Sequence, residues 1–455
     1  MLKFLPFKRF FTRQYSAVSL EEPLTHINYR SIPSGLVNTE VTVLKNGLTV
    51  ATYYAKRPIS KIGLFVGDAG VSSDPALATL LRGVFFTENK KTTTFVNRRS
   101  MDLIGANFNL RSAKEFFAVS AFAERPFVSK CVELIANALS NKFYRWEMED
   151  ALEDLLTENE FAKADTSLYL LDCLHSVSFR SGLSNSLVPQ AYKLKSVSCD
   201  CLERYARDRY TGANCVLVGV DVEHQFLVDL VQKSFLSQIK KGIKLNPSKD
   251  LFKGGRDLRL ESRGTRSTVL LGFAGGQLGE KESLAYALLR LALCAGPSTS
   301  WGQDKSRLMN TINGIKLIEE GKLTSISASC LSYLHSGLFF IEIVGEGKYM
   351  KKIMTTVAQA LKEVREKGLT ASEVARAQKL LKREALNCFS ANLLLDDIGQ
   401  QLLFKGKYNP VHEILKRIDS ISLQDVSAAA KKLANPSMVA YGVVDTVPYL
   451  DQLEL

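Results

Sequence analysis

No run of apolar residues in this 455-residue chain approaches the roughly 18 that a membrane-spanning helix requires. The longest candidates, SGLFFIEIVG and STVLLGFAGG, stop within ten residues at glycine or a charge. Redox and metal signatures are equally sparse. Eight cysteines (Cys131, Cys173, Cys199, Cys201, Cys215, Cys294, Cys330 and Cys388) form no C-x-x-C pair, and Cys199-x-Cys201 has no second pair at zinc-finger spacing. There is no C-x-x-C-H and no four-cysteine cluster spacing, so the sequence carries no signature of haem or an iron–sulfur centre. Of the five histidines, His26, His175, His224, His335 and His412, no two lie within a helical turn or two of each other. Dense basic clusters interleaved with aromatics are missing too, which argues against nucleic-acid binding. What is present, 46% apolar and 23% charged residues, is the composition of a soluble globular protein, and its scattered cysteines are those of a reducing compartment.

Acids are absent from the first twenty residues; the first is Glu21. The chain carries 59 Lys+Arg against 47 Asp+Glu, a net +12, and four of those cations (Lys3, Lys8, Arg9 and Arg13) fall within residues 1–15. Leu2, Phe4, Leu5, Phe7, Phe10 and Phe11 sit between them. This basic, acid-free, amphipathic composition is that of a mitochondrial transit peptide, and the cations break up the apolar core that a secretory signal needs. Arg13-Gln14-Tyr15-Ser16 resembles a matrix processing site cut between Tyr15 and Ser16. Residues 1–15 are therefore expected to be a transit peptide and 16–39 an N-terminal extension.

The chain also repeats itself once. Segment 194–222 runs parallel to 418–446: Ser196-Val197-Ser198 answers Ser420-Ile421-Ser422, and Asp221 answers Asp445. Gly67-Asp68-Ala69-Gly70 answers Gly272-Phe273-Ala274-Gly275, and Leu80-Leu81-Arg82 answers Leu288-Leu289-Arg290. Several matches in one order imply two homologous domains, because solenoid repeats are only 20–50 residues long. The expected boundaries are 40–236 and 257–455, joined by the Lys/Gly/Ser/Asn-rich linker 237–256.

Each half opens on strands, EVTVLKNGLTVATYY and KIGLFVGDAG in the first, RSTVLLGFAGG in the second. FFAVSAFA and LTSISASC alternate as half-buried strands do. Phe127, Cys131, Leu134, Ile135, Ala138 and Leu139 form one helical stripe, and 348–367 reads as a helix stopped by Gly368. Thr370-x-x-Glu373 is a capping box opening the next. The expected fold is α+β: two domains, each a mostly antiparallel sheet with helices packed on one face.

Two such domains behind a transit peptide resemble the family of mitochondrial processing peptidase, insulinase and the core proteins of respiratory complex III. Active members carry an inverted zinc motif, H-x-x-E-H, on the first long helix of the N-terminal half, with a further Glu ligand on a later helix. Two imidazoles one turn apart hold the metal, and the Glu between them takes a proton from the bound water. Here the motif falls on Thr79-Leu80-Leu81-Arg82-Gly83: neither histidine is present, and Arg82 has no lone pair to accept a proton. Family spacing places the third ligand near Glu160, beside Glu158. The resemblance thus implies a catalytically degenerate member with no catalytic, cofactor-binding or metal residues and no cofactor.

The core-protein branch of the family is similar at Leu80-Leu81-Arg82, Ala295-Gly296-Pro297, Leu174-His175-Ser176-Val177-Ser178-Phe179-Arg180 and Pro448-Tyr449-Leu450-Asp451-x-Leu453. That branch implies a structural subunit peripheral to the matrix side of the inner membrane, in a dimeric complex with core protein 1, cytochrome b, cytochrome c1, the Rieske iron–sulfur protein and small subunits. The alternative is the non-catalytic subunit of the processing peptidase, which recognises presequences. That subunit carries a glycine-rich loop, whereas CAGPSTSWGQDKSRLMNTI has only Gly296 and Gly302.

Overall fold

The computed structural model describes residues 39–55, 57–89, 91–295, 306–313, 323–387 and 391–453. The expected transit peptide, the extension apart from Thr39, Gly296-Pro297, Gly302, His26 and Cys388 lie outside these residues. The first half runs β1 (Glu40–Val43), β2 (Thr49–Tyr53), β3 (Ile59–Gly67), α1 (Pro75–Gly83), α2 (Thr94–Leu103), β4 (Asn107–Ser112), β5 (Phe116–Glu124), α3 (Val128–Ala138) and α4 (Arg145–Ala164). It continues through α5 (Thr166–Ser178), α6 (Ala191–Lys195), α7 (Cys199–Arg209), β6 (Cys215–Val220) and α8 (His224–Lys233). The second runs β7 (Asp257–Glu261), β8 (Arg266–Ala274), α9 (Lys281–Leu293), α10 (Arg307–Asn313), β9 (Leu323–Ser332), β10 (Gly337–Glu346), α11 (Met350–Lys367), α12 (Ala371–Asn387), α13 (Ala391–Lys405), α14 (Val411–Asp419), α15 (Leu423–Lys431) and β11 (Ser437–Gly442).

Each half builds one sheet. The first is ordered β1-β2-β6-β3-β5-β4 and the second β7-β11-β8-β10-β9. Pairing is antiparallel except for β2 with β6 and β7 with β11. Apart from β1 the two sheets share one strand order, and the repeated sequences sit at matching places. Ser198 caps α7 by accepting from the Cys201 N–H, and Ser422 caps α15 by accepting from the Asp425 N–H. Both helices lead into the sheet's parallel-paired inner strand, β6 or β11.

The helix-ending and capping signals are local, and the structure follows them. α11 ends where Gly368 adopts φ 73°, a conformation that a β-carbon resists. Thr370 and Glu373 exchange the two hydrogen bonds of a capping box. Of the expected stripe, Cys131, Leu134, Ile135, Ala138 and Leu139 are buried, whereas Phe127 lies in the turn before α3 and is exposed. Cys131 and Ile135 pack on the first sheet with Val128 and Val132, beside Leu227, Val228 and Val231 of α8.

What the sequence pattern did not reveal is the second face of each sheet. There the halves exchange helices. α13, from the second half, lays Leu394, Leu395, Ile398, Leu402 and Leu403 on Ala51, Phe65, Val216 and Val218 of the first sheet. α5, from the first half, lays Leu170, Leu174 and Val177 on Leu270, Leu338, Phe340 and Val439 of the second. Each exchange is seated on a glycine in the central strand. A β-carbon on Gly63 would lie 3.1 Å from Leu395, and one on Gly272 2.9 Å from Leu174. Strands covered on both faces read as continuous apolar runs, as β3 and β8 do, but a run cannot say which helix covers it.

Candidate functional site

The site in question lies where α1 crosses α4. Asp74 caps α1, its carboxylate accepting from the Ala76 and Leu77 N–H groups, with Pro75 at the first helical position. Ala76, Ala78, Leu80 and Leu81 then pack on Met148, Ala151 and Leu155 of α4 and on Leu202, Tyr205 and Ala206 of α7. The helix is therefore rigidly placed, and the positions expected to correspond to the zinc motif can be located one by one.

Thr79, where the resemblance would place the first histidine, is 3% exposed. Gly83, at the second, is the point of closest approach to α4: a β-carbon there would lie 2.9 Å from Leu155 Cδ1 and 3.4 Å from Ala151 Cβ. Contacts under 3.0 Å force a neighbour to move, so an imidazole does not fit without displacing Leu155. Arg82, at the base position, donates from Nη2 to Glu158 Oε2 at 2.6 Å. That carboxylate comes from the stretch of α4 where the third ligand was expected. Glu160 points elsewhere and pairs with Lys163 at 2.8 Å. A guanidinium–carboxylate bond thus spans the two helices. The sequence showed both residues, but their pairing needs the crossing of two helices 76 residues apart.

Among the described residues no group of three or more His, Cys, Asp or Glu side chains is placed to hold a metal ion. A cavity of about 340 Å³ beside the helix pair is lined by Leu80, Met148, Leu152, Leu194, Arg145 and Glu149. Of its charged members Arg145, Glu149 and Lys195, the first two pair with each other at 2.9 Å.

The other singled-out residues have structural roles. His175 is 2% exposed, with Nε2 bonded to the Tyr333 hydroxyl at 2.6 Å and Nδ1 to the Leu171 carbonyl at 2.7 Å. Burial drives its pKa down to about 3, so the ring is neutral and ties α5 to the second sheet. Phe179 stacks on it, and Arg180 donates to the Val177 and Gly254 carbonyls. His224 bonds to the hydroxyls of Thr42 and Thr52, joining α8 to β1 and β2. The Pro448–Leu453 stretch is pinned to β7 by Arg259, which donates to the Val447 and Pro448 carbonyls at 2.9 and 3.0 Å and lies 3.6 Å from the Tyr449 ring centroid.

One cluster had no signal in the sequence at all. Lys114 and Glu115, in the turn between β4 and β5, are each 5% exposed and lie with Asp172 and Asp250 at the junction of the two halves. Lys114 Nζ donates to Asp172 Oδ1 at 2.8 Å and to the Asn185 carbonyl at 2.7 Å. Burial lowers the lysine's pKa, and the charge of Asp172 opposes that shift.

Residues 196–381 match a family described as the peptidase M16 inactive domain. The chain is 26% identical to mouse (Mus musculus) cytochrome b-c1 complex subunit 2, over 97% of this chain and 98% of the mouse protein. It is 26% identical to the human (Homo sapiens) protein of the same description, over 91% of this chain and 92% of that one. It is 27% identical to the mitochondrial-processing peptidase subunit alpha of Solanum tuberosum, over 91% of this chain and 84% of the potato protein.

Proposed function

We propose that this chain, related along nearly its whole length to subunit 2 of the cytochrome b-c1 complex and carrying an inactive M16 domain, is a non-catalytic structural subunit of respiratory complex III. It sits on the matrix side of the inner mitochondrial membrane and supports assembly of the ubiquinol-to-cytochrome c electron-transfer complex. The single observation that carries this reading is the end-to-end match to the subunit 2 relatives. The Arg82–Glu158 bond supports the non-catalytic part. Arg82 stands where the base is expected, its guanidinium adds a repulsive charge toward any dication, and Gly83 approaches α4 too closely for a side chain unless Leu155 moves. In this reading the zinc motif is degenerate and no cofactor is held.

Peripheral attachment accords with the helices, none of which among the described residues is long and apolar enough to cross a membrane. Core protein 1, cytochrome b, cytochrome c1, the Rieske protein and the small subunits are the expected neighbours. Residues 1–15 are removed on import, leaving Ser16 at the mature N-terminus, and 40–236 and 257–455 are two peptidase-like domains joined by 237–256. Contact surfaces of this obligate kind bury more than about 2,000 Å² and are apolar at their centre.

The similarity to processing-peptidase alpha chains sustains a second reading, a presequence-recognising subunit without catalysis. A native gel of solubilised mitochondria separates the two. Co-migration with haem b and haem c signals supports the structural subunit; co-migration with a small soluble heterodimer of processing activity refutes it in favour of the second.

A further inference from the structure

A buried carboxyl group joins the two halves of the chain. Glu115 belongs to the first half, in the β4–β5 turn, and its two oxygens accept the Leu334 N–H at 3.0 and 3.2 Å. Leu334 belongs to the second half, in the β9–β10 turn closed by the Tyr333 N–H donating to the Ser336 carbonyl. The surrounding charges are committed to other partners. Lys114, on the same turn, is bound to Asp172 of α5, which also accepts from the Leu187 N–H and the Ser186 hydroxyl. His175 of α5 is neutral and bonded to the Tyr333 hydroxyl. Tyr333 is itself held protonated by burial. From the linker comes Asp250, which accepts from the Leu183 N–H at 2.7 Å and from the Ser181 hydroxyl. From the β3–α1 loop comes Asp68, paired with Arg209 of α7 at 3.2 Å.

We propose that Glu115 is a proton-operated latch between the two halves of the chain, holding the β4–β5 and β9–β10 turns together when protonated and favouring their separation when ionised. The carboxyl is buried, and the charges acting on it, Asp250 and Asp68, share its sign. Burial lifts its pKa to about 7, the Leu334 N–H opposing the rise and the two aspartates adding to it. An opened junction returns Glu115 to solvent and to its ordinary value of 4.5. The sign follows. Below that ordinary value both states are protonated and the latch is fully closed. As pH rises toward 7 the open state sheds its proton first, so closure weakens, and above 7 the loss levels off.

Hydrogen exchange of the full-length chain tests this, read on the peptide spanning 331–337 and corrected for the intrinsic pH dependence of amide exchange. The wild type is expected to open roughly tenfold more readily at pH 8 than at pH 6, from the displacement of the carboxyl between its two environments. Glu115→Gln keeps an acceptor oxygen for the Leu334 N–H without a titrating proton, and it is expected to lose that tenfold change. Equal pH dependence in both proteins overturns the latch. The wild type alone supplies a second measurement: difference infrared spectra should show a buried carboxylic-acid band lost near pH 7, and no carboxyl titrating between pH 6 and 8 overturns it equally.

Discussion

Rebuilding the zinc motif should damage the protein without creating a metal site. The triple substitution Thr79→His, Arg82→Glu and Gly83→His restores the H-x-x-E-H pattern on α1. At Gly83 the new side chain begins 2.9 Å from Leu155 Cδ1, and overpacking of this kind costs about 1–3 kcal/mol. At Thr79 a larger, polar ring enters a position 3% exposed, for about another 1–3 kcal/mol. At Arg82 a carboxylate replaces the partner of Glu158. Because the Glu158 side chain is 56% exposed, solvent screening keeps that repulsion to about 1 kcal/mol or less. Summed, the loss is on the order of 2–7 kcal/mol, a large share of the about 5–15 kcal/mol typical of a folded domain. Differential scanning calorimetry should register a Tm drop on the order of 10 °C. Elemental analysis after chelator washing should find well under one zinc per chain. One retained equivalent of zinc with an unchanged or raised Tm would refute the packing argument, because it would mean that the crossing at Gly83 opens cheaply.

The helix exchange makes its own demand: Leu174→Ala and Leu395→Ala should each cost about 2–5 kcal/mol in denaturant unfolding, and either should lower both halves' transitions together, since each removes a contact made across the halves. Lys114→Met, which strands Asp172, should cost about 3–5 kcal/mol, and the double variant with Asp172→Leu should recover part of it in a double-mutant cycle. Glu158→Ala, by contrast, should cost no more than about 1 kcal/mol, less at high salt, because its ion pair with Arg82 is largely solvated. Mass spectrometry of the protein from mitochondria should find Ser16 at the N-terminus, and intact Met1 would contradict the processing expected from Arg13.

How much of this was legible in the sequence depended on range. Capping and periodicity act within a few residues, so Thr370 with Glu373, the stop at Gly368 and the α3 stripe could be read directly. The repeat aligned Ser198 with Ser422, and that both cap the helices that follow them is seen only in the structure. The expected departure of Thr79, Arg82 and Gly83 from the H-x-x-E-H pattern rests on the family resemblance alone. Contacts across hundreds of residues were not visible. Nothing in Leu395 says that it seats on Gly63, and Glu115, flanked by a lysine in a short turn, reads as solvated until the second sheet covers it. The Arg82–Glu158 bond lies between these cases: both residues were noted, and only the helix crossing joins them.

The central claim, a structural subunit of complex III without catalysis, meets its most direct test in depletion. Mitochondria lacking this chain should lose ubiquinol–cytochrome c reductase activity together with assembled complex III, while cleavage of imported presequences continues at its normal rate. Re-expression of the wild type should restore both assembly and electron transfer. Intact complex III alongside accumulated unprocessed precursors would contradict the account.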